Sequence, residues 1–167
     1  MFTRLLLAID DSPGGEVATD FAIAIAQHHS AEVHVFHVNE YLVGGRGVTL
    51  LTRAEAAELV TGAVHRLRAA GVRAVGTSVV ASYRDVARRI AGTAHDRSVD
   101  AIVLGSQRHR RLGRIFSPRV RSRTLRLTAL PVLTAPSPLN LSGAPLRLDD
   151  ALLAQPDRTA RVPSPRP

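Results

Sequence analysis

Hydrophobic residues along this chain come in two alternating textures. Short unbroken apolar runs are separated by longer stretches in which apolar residues recur every three or four positions. The first texture suits strands covered on both faces, the second amphipathic helices. Arg4-Leu-Leu-Leu-Ala-Ile9 predicts a buried strand closed by Asp10-Asp11. Ser12-Pro13 then marks a helix start, with serine as cap and proline in the first turn. That helix is expected to reach about residue 27 with Val17, Phe21, Ala24 and Ile25 facing inward. Residues 31–38 predict a second strand, and residues 39–52, which hold Gly44-Gly45-Arg46-Gly47, a loop. Residues 53–70 predict a helix with Ala57, Val60, Val64 and Leu67 on its buried side, ended by Gly71. A third strand follows over 72–80. Ser82-Tyr-Arg-Asp85 has the spacing of a capping box, ahead of a helix that turns Val86, Ile90 and Ala94 to one side. Residues 101–104 predict a fourth strand, residues 118–128 a helix and residues 132–134 a fifth strand.

Strands alternating with helices at this spacing predict an α/β fold, a doubly wound five-stranded parallel sheet of Rossmann-like type with helices on both faces. At 167 residues the chain is long enough for one ordinary core. The domain is expected over residues 1–135. Seven of the ten prolines fall in residues 136–167, which read as a mostly disordered tail or one that drapes over the domain. The absence of cysteine excludes disulfides, thiolate metal sites and cysteine nucleophiles. The apolar run at residues 5–9 is too short for a signal peptide's core, and no stretch approaches the ~20 apolar residues of a membrane span. A cytoplasmic location is the expectation.

Charge changes the picture. All 22 basic residues are arginine and the formal net charge is +8. Base composition is the bland reading of that bias; its firm consequence is that a P-loop, which needs its lysine, is excluded. No acidic residue lies between Asp100 and Asp149, and eight arginines fall between Arg108 and Arg126. A strand, a glycine turn at Gly105-Ser106 and a long basic segment before a helix is a common way to build an anion site in open α/β sheets. Among the seven histidines, His34 and His37 fall on opposite faces of their strand, and His28-His29 ends a helix. No set has a metal-ligand spacing, so no metal is expected. No nucleophile-elbow pattern is present, and no catalytic residue is assigned.

The segment Gly105-Ser-Gln-Arg-His-Arg-Arg-Leu-Gly-Arg-Ile-Phe-Ser-Pro-Arg-Val120, followed by Ala129-Leu-Pro-Val-Leu-Thr134, resembles the C-terminal signature of the universal stress protein family. In ATP-binding members that signature is G-x2-G-x9-G-[ST] before a helix and a Pro-Val-Leu strand. Here Gly105 keeps the first glycine, while Arg108, Pro118 and Arg119 occupy the other three positions. The resemblance implies a nucleotide pocket formed by Asp10, Val38 and Gly105. Ser106, Arg108, Arg110, Arg111 and Arg119 are the candidate anion or phosphate residues. It also implies a homodimer through Val132–Thr134 and a role in stress adaptation. The expectation is a binding and regulatory module without turnover, with ATP held weakly if at all. An ATP-binding protein with an arginine-modified phosphate loop and slow hydrolysis is the alternative. A basic polyanion-binding module is the third reading, least favoured for nucleic acid because Phe116 is the only aromatic in the cluster.

Overall fold

The computed structural model describes residues 1–41, 48–105 and 118–136. Nine elements alternate along them: β1 (Arg4–Ile9), α1 (Pro13–His29), β2 (Glu32–Tyr41), α2 (Arg53–Ala69), β3 (Ala74–Ser82), α3 (Val86–Asp96), β4 (Ala101–Leu104), α4 (Pro118–Leu127) and β5 (Val132–Thr134). The strands form one parallel sheet in the order β3-β2-β1-β4-β5. The chain winds outward from β1 to β3, then crosses to β4 and β5 on the other side. The topology therefore reverses between β1 and β4, which is where open sheets of this type hold ligands.

Alternation along the central strands splits the core in two. Leu5, Leu7, Ile9, Val33 and Val35 face α1 and α2, packing on Ala18, Ala22, Val60, Val64 and Leu67. Leu6, Ala8, Phe36 and Val38 face α3 and α4, packing on Val86, Ala87, Ile90 and Val120. Burial on both faces is why these strands read as continuous apolar runs.

Four sequence readings need correction. On α1 Ala24 is exposed; Val17, Phe21 and Ile25 do pack against the core but only half-buried, and the fully buried positions are Gly14, Gly15, Ala18, Thr19, Ala22 and Ala26. Small side chains let this helix approach the sheet, so its innermost row is its least bulky one. On α2, Ala57 is exposed and Ala56 and Ala63 are buried in its place. β2 does not stop at residue 38. Its pairing with β3 continues to Tyr41↔Ser82, three residues past Val38. Finally, α3 starts at Val86: Ser82 is the last residue of β3, its hydroxyl donates to Asp85 Oδ2 at 2.7 Å, and the N-cap residue is Asp85, whose side chain makes no capping bond.

The other boundaries follow from local chemistry. Ser12 caps α1 by accepting from the Gly15 N–H. Thr52 and Glu55 form a reciprocal capping box at the start of α2. Gly71 follows α2 at φ +79°, a left-handed conformation that glycine adopts without steric cost. No helix among the described residues is long and apolar enough to cross a membrane.

Candidate functional site

The β1–β4 and β1–β2 ladders end together. Ala8 pairs with Leu104 and Ile9 with His37, so Asp10, Val38 and Gly105 all stand within one residue of the last paired rung. Three residues far apart in sequence thus meet at the C-terminal edge of the sheet, beside its switch point. Asp10 is 4% exposed although it is a carboxylate in a turn. Its carboxylate accepts from the Ser12 hydroxyl, and the same hydroxyl accepts from Gly15 N–H at 3.3 Å. Capping of α1 and orientation of Asp10 are therefore one hydrogen-bonded unit. Ser106, Arg108, Arg110 and Arg111 lie outside the described residues. Arg119 is exposed on the first turn of α4, where it lines a groove with Arg84, Arg123 and Arg126 that includes none of Asp10, Val38 or Gly105.

Beyond β1, the overhang of β2 carries two buried polar residues, Asn39 and Glu40. Asn39 brackets Leu51, donating from Nδ2 to its carbonyl at 2.8 Å and accepting from its N–H at 3.1 Å. Leu50 N–H donates to the Glu40 carbonyl at 2.8 Å. These bonds hold residues 49–51 against the strand end. Asn39 was recognisable as an edge residue, but its partner twelve positions away was not.

A cleft of about 560 Å³ opens beside Asp10 between α1 and α2. It is lined by Asp10, Asp11, Glu16, Glu55 and Glu58, with Arg66 as the cation, and Arg66 is itself paired with Asp20. Such a lining repels phosphate. Among the described residues no group of three His, Asp or Glu side chains is placed to hold a metal ion.

His37 lies behind this edge, 3% exposed, with Nδ1 at 3.0 Å from the Ile9 carbonyl. That carbonyl can only accept, so Nδ1 carries the proton in the neutral ring. Nε2 is buried with no hydrogen-bond partner among the described residues. Burial holds the His37 pKa below its ordinary value of 6.5, against the opposing pull of the Ile9 carbonyl and the Asp11 carboxylate. Burial also lowers the pKa of His34, with the Arg97 guanidinium adding to the effect. A base whose pKa is depressed by folding takes up its proton first in the unfolded chain. The resulting stability is fully present above the unfolded value and is lost as pH falls below it. The thermal midpoint should therefore drop as pH falls below about 6.5, and a His34→Gln/His37→Gln variant should flatten that slope. The carboxylates Glu55, Asp85 and Asp100, all held low by hydrogen bonds, act only at more acidic pH. An unchanged slope in the variant would show that other groups set the acid response.

The profile of the Universal stress protein family matches residues 1–136. The chain belongs to the universal stress protein family. Solved structures agree with this assignment. A universal stress protein family member from Burkholderia pseudomallei is 25% identical, with a TM-score of 0.64 over 81% of this chain and 96% of that one. The universal stress protein of Archaeoglobus fulgidus in complex with dAMP is 23% identical, with a TM-score of 0.62 over 80% and 98%. An Arabidopsis thaliana family member with AMP bound is 14% identical, with a TM-score of 0.58 over 79% and 90%. No significant match is found among curated protein sequences. As a universal stress protein, the chain retains the fold's central strands and switch point and departs from the ATP-binding signature only after Gly105.

Proposed function

We propose that this universal stress protein is a binding and regulatory module in stress adaptation, acting by association and without turnover. It holds a nucleotide or other anion weakly at the edge formed by Asp10, Val38 and Gly105. The observation that supports this most is the convergence of those three residues at the last paired rung beside the switch point. Relatives of the same fold were solved with dAMP and AMP, which favours an adenine nucleotide as the ligand class. Pro118 and Arg119 stand where ATP-binding members offer glycine and a hydroxyl, which favours weak binding. The second reading, an ATP-binding protein with an arginine-modified loop, draws on the acidic α1–α2 cleft, whose lining repels phosphate. Equilibrium binding of ATP to the full chain, with Asp10→Ala as control, separates the two.

Association is expected through β5. It is an edge strand of three residues, Val132 and Leu133 are half-buried, and only β4 pairs with it among the described residues. An open edge carrying apolar side chains invites pairing, and a two-fold axis would place the same edge on both partners. Light scattering at micromolar concentration should give a dimer mass, and Thr134→Pro, which removes an outward-facing edge donor while leaving the β4 ladder intact, should give a monomer. A monomeric wild type would refute this part of the reading.

A further inference from the structure

We propose that the groove between α3 and α4 is a second anion site, built for a linear polyphosphate chain and independent of the Asp10 edge. The groove has a volume of about 760 Å³, within the range of ligand sites. One wall is Arg119, Arg123 and Arg126 of α4; the other is Tyr83 and Arg84, in the turn that follows β3, and Ala87 of α3. Residues 119, 123 and 126 share one stripe of their helix and span about 10 Å along its axis, at 1.5 Å per residue. A single phosphate reaches one or two of these guanidiniums, whereas a chain of three or more phosphates can engage all of them. Arginine suits this task because its planar donor fork grips phosphate oxygens in pairs.

Two observations set this cluster apart from a solvated basic face. The lining contains no carboxylate. The adjacent acid, Asp85, is occupied by the Ser82 hydroxyl and the Arg88 guanidinium, and its pKa is held down by that hydroxyl and by Arg88, Arg89 and Arg123. Some arginines elsewhere have protein partners: Arg66 pairs with Asp20, Arg73 with Glu32, and Arg68 donates twice to the Ala74 carbonyl. Arg84, Arg119 and Arg126 have neither an ion pair nor a hydrogen bond among the described residues. Like charges gathered from α4 and the turn before α3 around one concavity repel one another, and a polyanion relieves that repulsion. The lining's single aromatic is Tyr83, half-buried against the core, so no platform for stacking successive bases is supplied. The chemistry favours bare phosphate chains, whether inorganic or carried on a nucleotide.

Calorimetry of the full chain at physiological salt, with inorganic tripolyphosphate as probe, tests this. Wild type should bind, Arg123→Gln/Arg126→Gln should bind at least tenfold more weakly, and Arg84→Gln should weaken binding from the opposite wall. Arg73→Gln and Asp10→Ala should change affinity less than twofold. ATP should bind no more tightly than tripolyphosphate if the source of the phosphates is immaterial. The altered arginines are exposed, so thermal midpoints should be unchanged and will certify folding. Absence of tripolyphosphate binding, wild-type affinity in both arginine variants, or loss of binding in Asp10→Ala would overturn the proposal. So would orthophosphate binding as tightly as the chain, or an oligothymidylate of equal charge binding more than tenfold tighter.

Discussion

Gly15→Ala should lower the thermal midpoint by about 4–8 °C, while the same change at Gly62 or Gly92 should raise it slightly. All three glycines lie in helices, where alanine is intrinsically better by up to about 1 kcal/mol. Propensity alone therefore predicts stabilisation at every one. A β carbon at Gly62 or Gly92 would meet nothing within 4 Å, so propensity decides there. At Gly15 it would overlap the carbonyl oxygen of Asp10 and stand 3.4 Å from its amide nitrogen and Oδ1. That carbonyl accepts from Ser12 N–H at 2.9 Å, so the turn cannot yield without breaking its own bond. Overpacking of this kind costs about 1–3 kcal/mol, leaving a net loss of about 1–2 kcal/mol. For a domain of this size that is a shift of several degrees. The substitution also displaces Asp10, so nucleotide affinity should fall with stability. Differential scanning calorimetry of the three variants checks the sign; stabilisation by Gly15→Ala would mean that the turn is looser than its packing indicates.

ATP should bind weakly, in a salt-sensitive and poorly base-selective manner. The argument is geometric before it is electrostatic. The family's glycines allow backbone N–H groups to approach the triphosphate closely. This chain has arginine at one of those positions and Pro118, which lacks an N–H, at another. Each charge-assisted hydrogen bond lost costs on the order of 1.5–3 kcal/mol. Two would weaken affinity by roughly a hundredfold or more, since about 1.4 kcal/mol is tenfold. The surrounding arginines oppose this, but exposed charges are screened within about 10 Å at moderate salt. Calorimetry at physiological salt checks it. A micromolar, adenine-selective dissociation constant abolished by Asp10→Ala would show instead that the arginines have rebuilt the site.

Much of the fold could be read from the sequence because its strands are buried on both faces. The run from Arg4 to Ile9 and the runs of β4 and β5 end where the structure ends them. Reading failed where tertiary contact overrode local pattern. The inner row of α1 is alanine, glycine and threonine because close approach to the sheet excludes larger side chains, so bulk was the wrong guide there. Asn39-Glu40-Tyr41 looks like loop, and only the matching extension of β3 makes it strand. Ser82 and Asp85 do bond to each other, but across a turn and not as a cap. At the site, Asp10, Val38 and Gly105 could be picked out through family resemblance. The α3–α4 groove could not, because the contribution of Arg84 depends on how two helices from separate parts of the chain pack.

The two faces of the sheet carry opposite electrical character: carboxylates crowd the α1–α2 cleft and guanidiniums the α3–α4 groove. Among the described residues the domain thus carries opposite charge in two concavities on opposite faces of its sheet. Near a negatively charged surface or assembly it will rotate before it touches, presenting α3 and α4 first and leaving the acidic cleft outward. Encounter orientation is set by this asymmetry ahead of any specific contact, and added salt would remove the preference without altering the fold.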